Sequence, residues 1–443
     1  MSDTKPPVVA GSPKQNGLWA VAQQVTTLVF TGAFSIVLVR FVSVSDFGTY
    51  SYAITLASLG VAVMASGLQG LAIRELRIRE QDSTRILASL FFIREVMALV
   101  VYVGFALFAL ASADQSVLAV TIVACLAVIA RVLDAPELWF QARLRTKEPA
   151  LVRIGTAVLF FVLRLGLLFW APTVMGLIVL FVAEQITNGV LISVQYRRAT
   201  GNSPFQKAEG AETRTLARHA TPLAISGIAN QINLRADIVI IQALSGNTSV
   251  GLYAAAARLS EILYILPTSY MSATFPSLLD VREKFGNRSA EYRHQLQRGF
   301  DAAFWFGIVV VIGTLATADW LVPLLFGAEY AESATVLMVH VLACPFVFMA
   351  AILSKWIVAE GLLWLSLLRH SVGAALSIGL NIALIPEFGI VGSAWATVIA
   401  YSSASYLFCF FGRSTFGVAL MMTLAPFAPI RLLLHRLRKD SGK

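Results

Sequence analysis

Twelve apolar stretches recur along this chain of 443 residues, and its basic residues collect in alternate gaps between them. Crossing the hydrocarbon core of a bilayer takes roughly 20 apolar helical residues. The stretches run near 17–39, 50–70, 87–110, 116–136, 150–170, 174–194, 219–243, 250–275, 299–318, 333–354, 362–385 and 390–411. Hydrophobic residues make up 57% of the chain and charged residues 13%, about half the charged share of a soluble domain. The pattern predicts an all-α integral membrane protein of about 12 transmembrane helices.

With the N-terminus placed inside, 29 of the 34 Lys and Arg residues fall on the inner side and only Arg40 in an outer loop. Arg94, Arg164, Arg235 and Arg258 lie within spans. Basic residues mark the cytoplasmic side, so both termini are expected there. The net charge of +9 is therefore read as topology, and no nucleic-acid partner is expected. Residues 1–16 are polar and carry Pro6, Pro7 and Pro13, and no small-residue cleavage site follows the first apolar stretch. That stretch reads as the first helix rather than a signal peptide. Cys125, Cys344 and Cys409 sit in apolar spans without paired spacing, as small core residues do.

The gaps divide the spans six and six. Residues 1–194 form an N-terminal lobe, 195–218 a polar cytoplasmic linker, 219–411 a C-terminal lobe and 412–443 a basic cytoplasmic or interfacial tail. In the tail, 416–427 is too short to span. Arg431, Arg436, Arg438 and Lys439 are expected to face anionic headgroups. Ser45-Asp46-Phe47-Gly48-Thr49-Tyr50 opens the second span and Thr248-Ser249-Val250-Gly251-Leu252-Tyr253 the eighth. The shared Gly-x-Tyr at the outer entry suggests pseudo-symmetric halves, with tyrosine at the membrane interface.

Asp237-Ile238-Val239-Ile240-Ile241, followed by Val250 through Leu259 and by Leu266-Pro267 through Phe275-Pro276-Ser277-Leu278, resembles the central signature of polysaccharide flippases. Val44–Tyr50 is similar to that family's first outer loop, and Ile385–Ala394 to the loop before its twelfth helix. The resemblance spans the chain. It implies a Wzx-type polysaccharide (O-antigen or exopolysaccharide) flippase of the multidrug/oligosaccharidyl-lipid/polysaccharide exporter superfamily. Such proteins have two six-helix lobes around a central cavity. They move undecaprenyl-pyrophosphate-linked oligosaccharide from the inner to the outer leaflet of the bacterial cytoplasmic (inner) membrane by alternating access. The implied partners are the polyprenyl-pyrophosphate-linked glycan, membrane lipids and polysaccharide polymerase or export machinery, with the protein a monomer.

The residues themselves supply candidates. A charge at membrane depth costs at least about 2.5–3.5 kcal/mol, so it faces a cavity or a partner. Arg235 and Arg258 fall at roughly equal depth, about 12–14 Å from the outer surface, with Asp237 and Glu261 close by. Arg258 and Glu261 are placed to meet on one helix face, and Asp237 to reach Arg258. Two readings stay open: arginines that bind pyrophosphate or an acidic sugar, or interhelical ion pairs. Arg94 and Glu95 sit in the inner part of span three, where Arg94 lines a cavity or snorkels to the interface. Arg164 and Glu184 lie on adjacent spans within reach of each other, with Asn188 one turn from Glu184. Gln23, Gln24, Thr26 and Thr27 in span one, and Asn230, Gln231 and Asn233 in span seven, are hydrogen-bonding groups for sugar hydroxyls or for helix contacts. His340 reads as a helix-contact residue. No Walker motif, Gly-rich phosphate loop, nucleophile elbow or metal-ligand spacing appears, so neither a cofactor nor an enzymatic activity is expected.

Two rivals follow. A drug/cation antiporter of the same superfamily would rely on embedded carboxylates, but span one has none. A membrane glycosyltransferase or polysaccharide polymerase would need a sizeable outer loop, and the outer gaps are short.

Overall fold

The computed structural model describes residues 13–111, 115–287 and 289–431, and among them no β-strand forms. The helices are α1 (Pro13–Leu38), α2 (Val44–Ala65), α3 (Leu68–Ile78), α4 (Ser83–Ala111), α5 (Gln115–Ala130), α6 (Glu137–Ala142), α7 (Lys147–Trp170) and α8 (Val174–Thr200). They continue as α9 (Gly210–Phe285), α10 (Ala290–Phe326), α11 (Ala331–Val341), α12 (Cys344–Ala359), α13 (Leu363–Ser405) and α14 (Phe416–Leu424).

Two of these runs are hairpins. In α9, Gly246 adopts φ 77, ψ −176, and in α13 Gly389 adopts φ 58, ψ −142. A side chain rarely tolerates either conformation. Tyr253 Oη donates to Asp237 Oδ2 at 2.6 Å, although a straight helix would hold residues at that spacing about 24 Å apart. Ser393 Oγ reaches Asn381 Oδ1 at 2.6 Å in the same way. Ten stretches among the described residues are long and apolar enough to cross a membrane, and two of them, Leu234–Tyr264 and Trp364–Phe410, contain the breaks. They therefore comprise twelve limbs. This is a multi-pass, all-α membrane protein, as its sequence predicts.

The chain forms two compact units that part between Gln231 and Ile232. In the first, Leu76, Leu87, Leu90, Trp139, Phe140 and Tyr196 build a core beneath α3, α4, α6 and α8. In the second, Tyr292, Phe300, Met349, Leu353 and Met422 join α10, α12 and α14. Cys125, Cys344 and Cys409 are free and buried.

Two local features bear on the sequence reading. Tyr50 and Tyr253 are buried within the protein, at 6% and 0% exposure. Each closes a helix entry against its own unit, and Tyr253 satisfies its hydroxyl on Asp237. Arg431 is engaged within the protein. It pairs with Asp301 at 2.6 Å, while α14 docks on α10 through Gln297 Nε2 to the Met421 carbonyl at 2.9 Å. Arg436, Arg438 and Lys439 lie outside the described residues.

Candidate functional site

A cavity of about 470 Å³ opens inside the first unit. Gln23 of α1, Arg94 of α4 and Glu184 and Asn188 of α8 contribute to its wall, together with Arg131, Asp134, Glu137, Gln141 and Arg153. The turn 131–134, a 3₁₀ segment after α5, carries Arg131 and Asp134 inward. It packs tightly on α8 because residue 189 is glycine: a Cβ there would meet Leu133 Cβ at 2.4 Å. Ser193 Oγ donates to the Leu133 carbonyl at 3.1 Å and ties the same turn down.

The charges in this wall are largely matched. Asp134 accepts from Arg131 and, at 2.8 Å, from Arg153, which also pairs with Glu137. Glu184 is held by Arg164 at 2.5 Å. Arg94 is the exception. It is 8% exposed, and its Nη2 donates to the Arg131 carbonyl at 3.2 Å and its Nε to Met64 Sδ at 3.4 Å. Among the described residues no carboxylate lies within ion-pair distance of it. The network sets four guanidinium groups against three carboxylates, and the surplus positive charge rests on Arg94. Amides complete the wall. Gln69 Nε2 donates to Gln141 Oε1 at 3.3 Å, and Gln141 Nε2 to Glu137 Oε1 at 3.2 Å. Thr156 Oγ1 donates to Asn188 Oδ1 at 2.6 Å. Such a wall can bind an anion at one point and hydroxyl groups around it.

The sequence candidates separate. Arg94, Gln23 and Glu184 share this cavity, with Arg164 behind Glu184. Gln24 is exposed beside it, and Glu95 points into a different crevice, with Phe205 and Lys207. Asn230 is half-buried in α9, and the Asn233 side chain lies outside the described residues. In the second unit the expected pairing is exchanged. Glu261 is bound by Arg235 Nη1 at 2.8 Å. Arg258, half-buried, has no carboxylate within ion-pair distance among the described residues. The hairpin, not the spacing along one helix, decides which arginine Glu261 meets. Asp237 takes its hydrogen bond from Tyr253, whose hydroxyl also lies 3.3 Å from Thr397 Oγ1. His340 contacts Tyr264 Oη at 3.2 Å through Nδ1.

Sequence reasoning missed Arg131, Asp134, Glu137, Gln141 and Arg153 as site residues, reading the basic ones only as topology markers. Their spacing carries a signal. Arg131, Asp134, Glu137 and Gln141 recur every three or four residues, which places them on one helical face.

The profile described as polysaccharide biosynthesis protein matches residues 14–281, over half of the chain. The chain belongs to the polysaccharide biosynthesis protein family. The profile described as lipid II flippase MurJ matches residues 157–434. The resemblance to flippases of the multidrug/oligosaccharidyl-lipid/polysaccharide exporter superfamily is thereby borne out. Among relatives, the probable low-salt glycan biosynthesis flippase Agl15 of Haloferax volcanii is 21% identical over 218 residues, 49% of this chain and 46% of that protein. The capsular polysaccharide biosynthesis protein CapF of Staphylococcus aureus is 22% identical over 202 residues, 44% of this chain and 49% of that protein. The chain thus spans about half the length of the curated relatives it matches. A solved lipid II flippase MurJ in an inward closed conformation shares the fold, with TM-score 0.71 and 15% identity over 94% of this chain and 92% of that one. An inward-facing multidrug MATE transporter gives TM-score 0.64 and 15% identity over 91% and 96%.

Proposed function

We propose that this family member flips a polyprenyl-pyrophosphate-linked oligosaccharide from the inner to the outer leaflet by alternating access, for surface polysaccharide biosynthesis. The observation that carries the reading is the Arg94 cavity: a buried guanidinium with no carboxylate at ion-pair distance among the described residues, and amides around it. A guanidinium held away from bulk water attracts a phosphate strongly and matches two of its oxygens at once. Gln23, Gln141 and Asn188 then offer donors and acceptors to sugar hydroxyls. A drug/cation antiporter would need a carboxylate left open to its substrate, and here Asp134, Glu137 and Glu184 are each held by arginine. The short outer gaps leave no room for the loop a polymerase or glycosyltransferase would need.

In this reading the protein is a transporter rather than an enzyme and sits in the bacterial inner membrane with both termini in the cytoplasm. Residues 1–194 and 219–411 work as the two lobes, joined by 195–218 and followed by the tail 412–443. It acts as a monomer that hands glycan to a polymerase or export machinery. Lipid analysis of a deletion strain tests the function. Carrier-linked repeat units should accumulate on the cytoplasmic side and disappear on complementation. Intact surface glycan combined with drug hypersensitivity would favour the antiporter.

A further inference from the structure

The segment that leads out of the first unit is strapped against α4. After α8 ends at Gly201, with φ 77, residues 201–209 run without helix to α9. Arg79 grips Glu212 through two hydrogen bonds of 2.7 and 3.0 Å, and Arg85 lies 3.6 Å from Glu209. Phe205 sets its ring edge-on to Phe91, with centroids 5.0 Å apart. Between strap and helix lies a crevice of about 640 Å³, lined by Phe92 and Glu95 on α4 and by Phe205, Lys207 and Arg214 on the strap side.

Both acids of the strap, Glu209 and Glu212, are taken by Arg85 and Arg79. Among the described residues neither Lys207 nor Arg214 has a carboxylate within ion-pair distance. Phe92 is half exposed, and from it Val96, Leu99, Val103 and Leu107 continue an exposed apolar stripe along α4. Their spacing of three and four residues keeps them on one face. At 1.5 Å per residue the stripe rises about 22 Å, more than the roughly 15 Å of hydrocarbon in one leaflet.

We propose that this crevice seats one anionic phospholipid of the surrounding leaflet, with its phosphate between Lys207 and Arg214 and an acyl chain along the Phe92–Leu107 stripe. Two cations and one carboxylate, Glu95, fit a phosphodiester whose headgroup also carries hydroxyl donors, the chemistry of phosphatidylglycerol. A zwitterionic choline headgroup places a cation where the crevice is already positive and offers Glu95 no donor. The site is separate from the Arg94 cavity and does not depend on what that cavity transports.

Native mass spectrometry of the full-length protein, titrated with phosphatidylglycerol or phosphatidylcholine, tests this. One phosphatidylglycerol should be retained at lipid concentrations that leave no phosphatidylcholine adduct. Lys207→Gln with Arg214→Gln should weaken that adduct about tenfold or more, whereas Lys207→Arg with Arg214→Lys, which keeps both charges, should preserve it. Equal retention of the two lipids, or an unchanged adduct in the Gln pair, would overturn the proposal. A second measurement leaves both cations in place. A polarity-sensitive fluorophore on Gln206→Cys should shift to the blue with phosphatidylglycerol vesicles and revert in high salt. The same shift with phosphatidylcholine or with inorganic phosphate alone would equally overturn it.

Discussion

Arg235 and Glu261, 26 residues apart on the two limbs of the α9 hairpin, meet at 2.8 Å because the chain doubles back at Gly246. At 34% and 37% side-chain exposure the pair itself contributes little, about 0–1 kcal/mol. The turn matters more. A Cβ at Gly246 would touch nothing within 4 Å, so replacement acts through the backbone alone. Gly246→Ala should destabilise the protein by about 1–3 kcal/mol, read as a lower melting temperature in detergent. Glu261→Gln should leave that temperature nearly unchanged.

Arg94 and Arg153 line one cavity but should fail differently. Arg94→Ala removes a cation that holds no carboxylate among the described residues, so surface glycan should fall while immunoblotted abundance stays near wild type. Arg94→Lys keeps the charge without the planar fork and should restore part of the activity. Arg153→Ala strands Glu137 and leaves Asp134 to Arg131 alone, a loss of about 3–5 kcal/mol for a buried pair, so abundance should fall together with activity. Wild-type glycan from Arg94→Ala at wild-type abundance would remove this residue from the substrate path.

Glu360 gives the second unit an acid-sensitive tie. Burial alone would push its carboxyl up, but hydrogen bonds from Asn287 and Arg282, each at 3.0 Å, and from Tyr292 at 3.1 Å outweigh that effect and hold it below the usual carboxylate range. A depressed carboxyl stabilises the fold above its unfolded value of about 4.3 and loses that contribution as pH falls through the folded value. Glu360→Gln should therefore lower the melting temperature at neutral pH. The gap from wild type should close as the pH is taken below about 4. A pH-independent gap would mean that packing, not ionisation, accounts for the loss.

Topology can be tested against a quiet background, since the native cysteines are buried. Cysteine at Asn247, next to the α9 turn, should react with an impermeant thiol reagent from outside intact cells. Cysteine at Ser203 on the strap should react only after permeabilisation. The reverse pattern would invert the orientation read from the basic residues.

Membrane insertion and helix number were legible in the sequence because both rest on length and hydropathy, which are local sums along the chain. The gap between spans seven and eight was read as residues 244–249, whereas helix continues on both sides of a break at Gly246. Arg94 stood out because a charge inside an apolar run is costly wherever the helix packs. Its partners did not, since Arg131, Asp134 and Arg153 occupy span ends where charge is unremarkable in sequence. Only the packing of α8 across Gly189 onto the 131–134 turn gathers them into one wall. Likewise Glu261 had Arg235 and Arg258 at plausible depth, and spacing favoured Arg258. The pairing depends on the rotation of two limbs about a hinge, a property of their contact surface rather than of either limb. Sequence alone determined that this chain crosses a membrane many times and carries rare charges inside it. Tertiary structure decided which of those charges are paired and left Arg94 with no carboxylate at ion-pair distance among the described residues, because ion pairing depends on distances of a few ångströms between helices far apart in the chain.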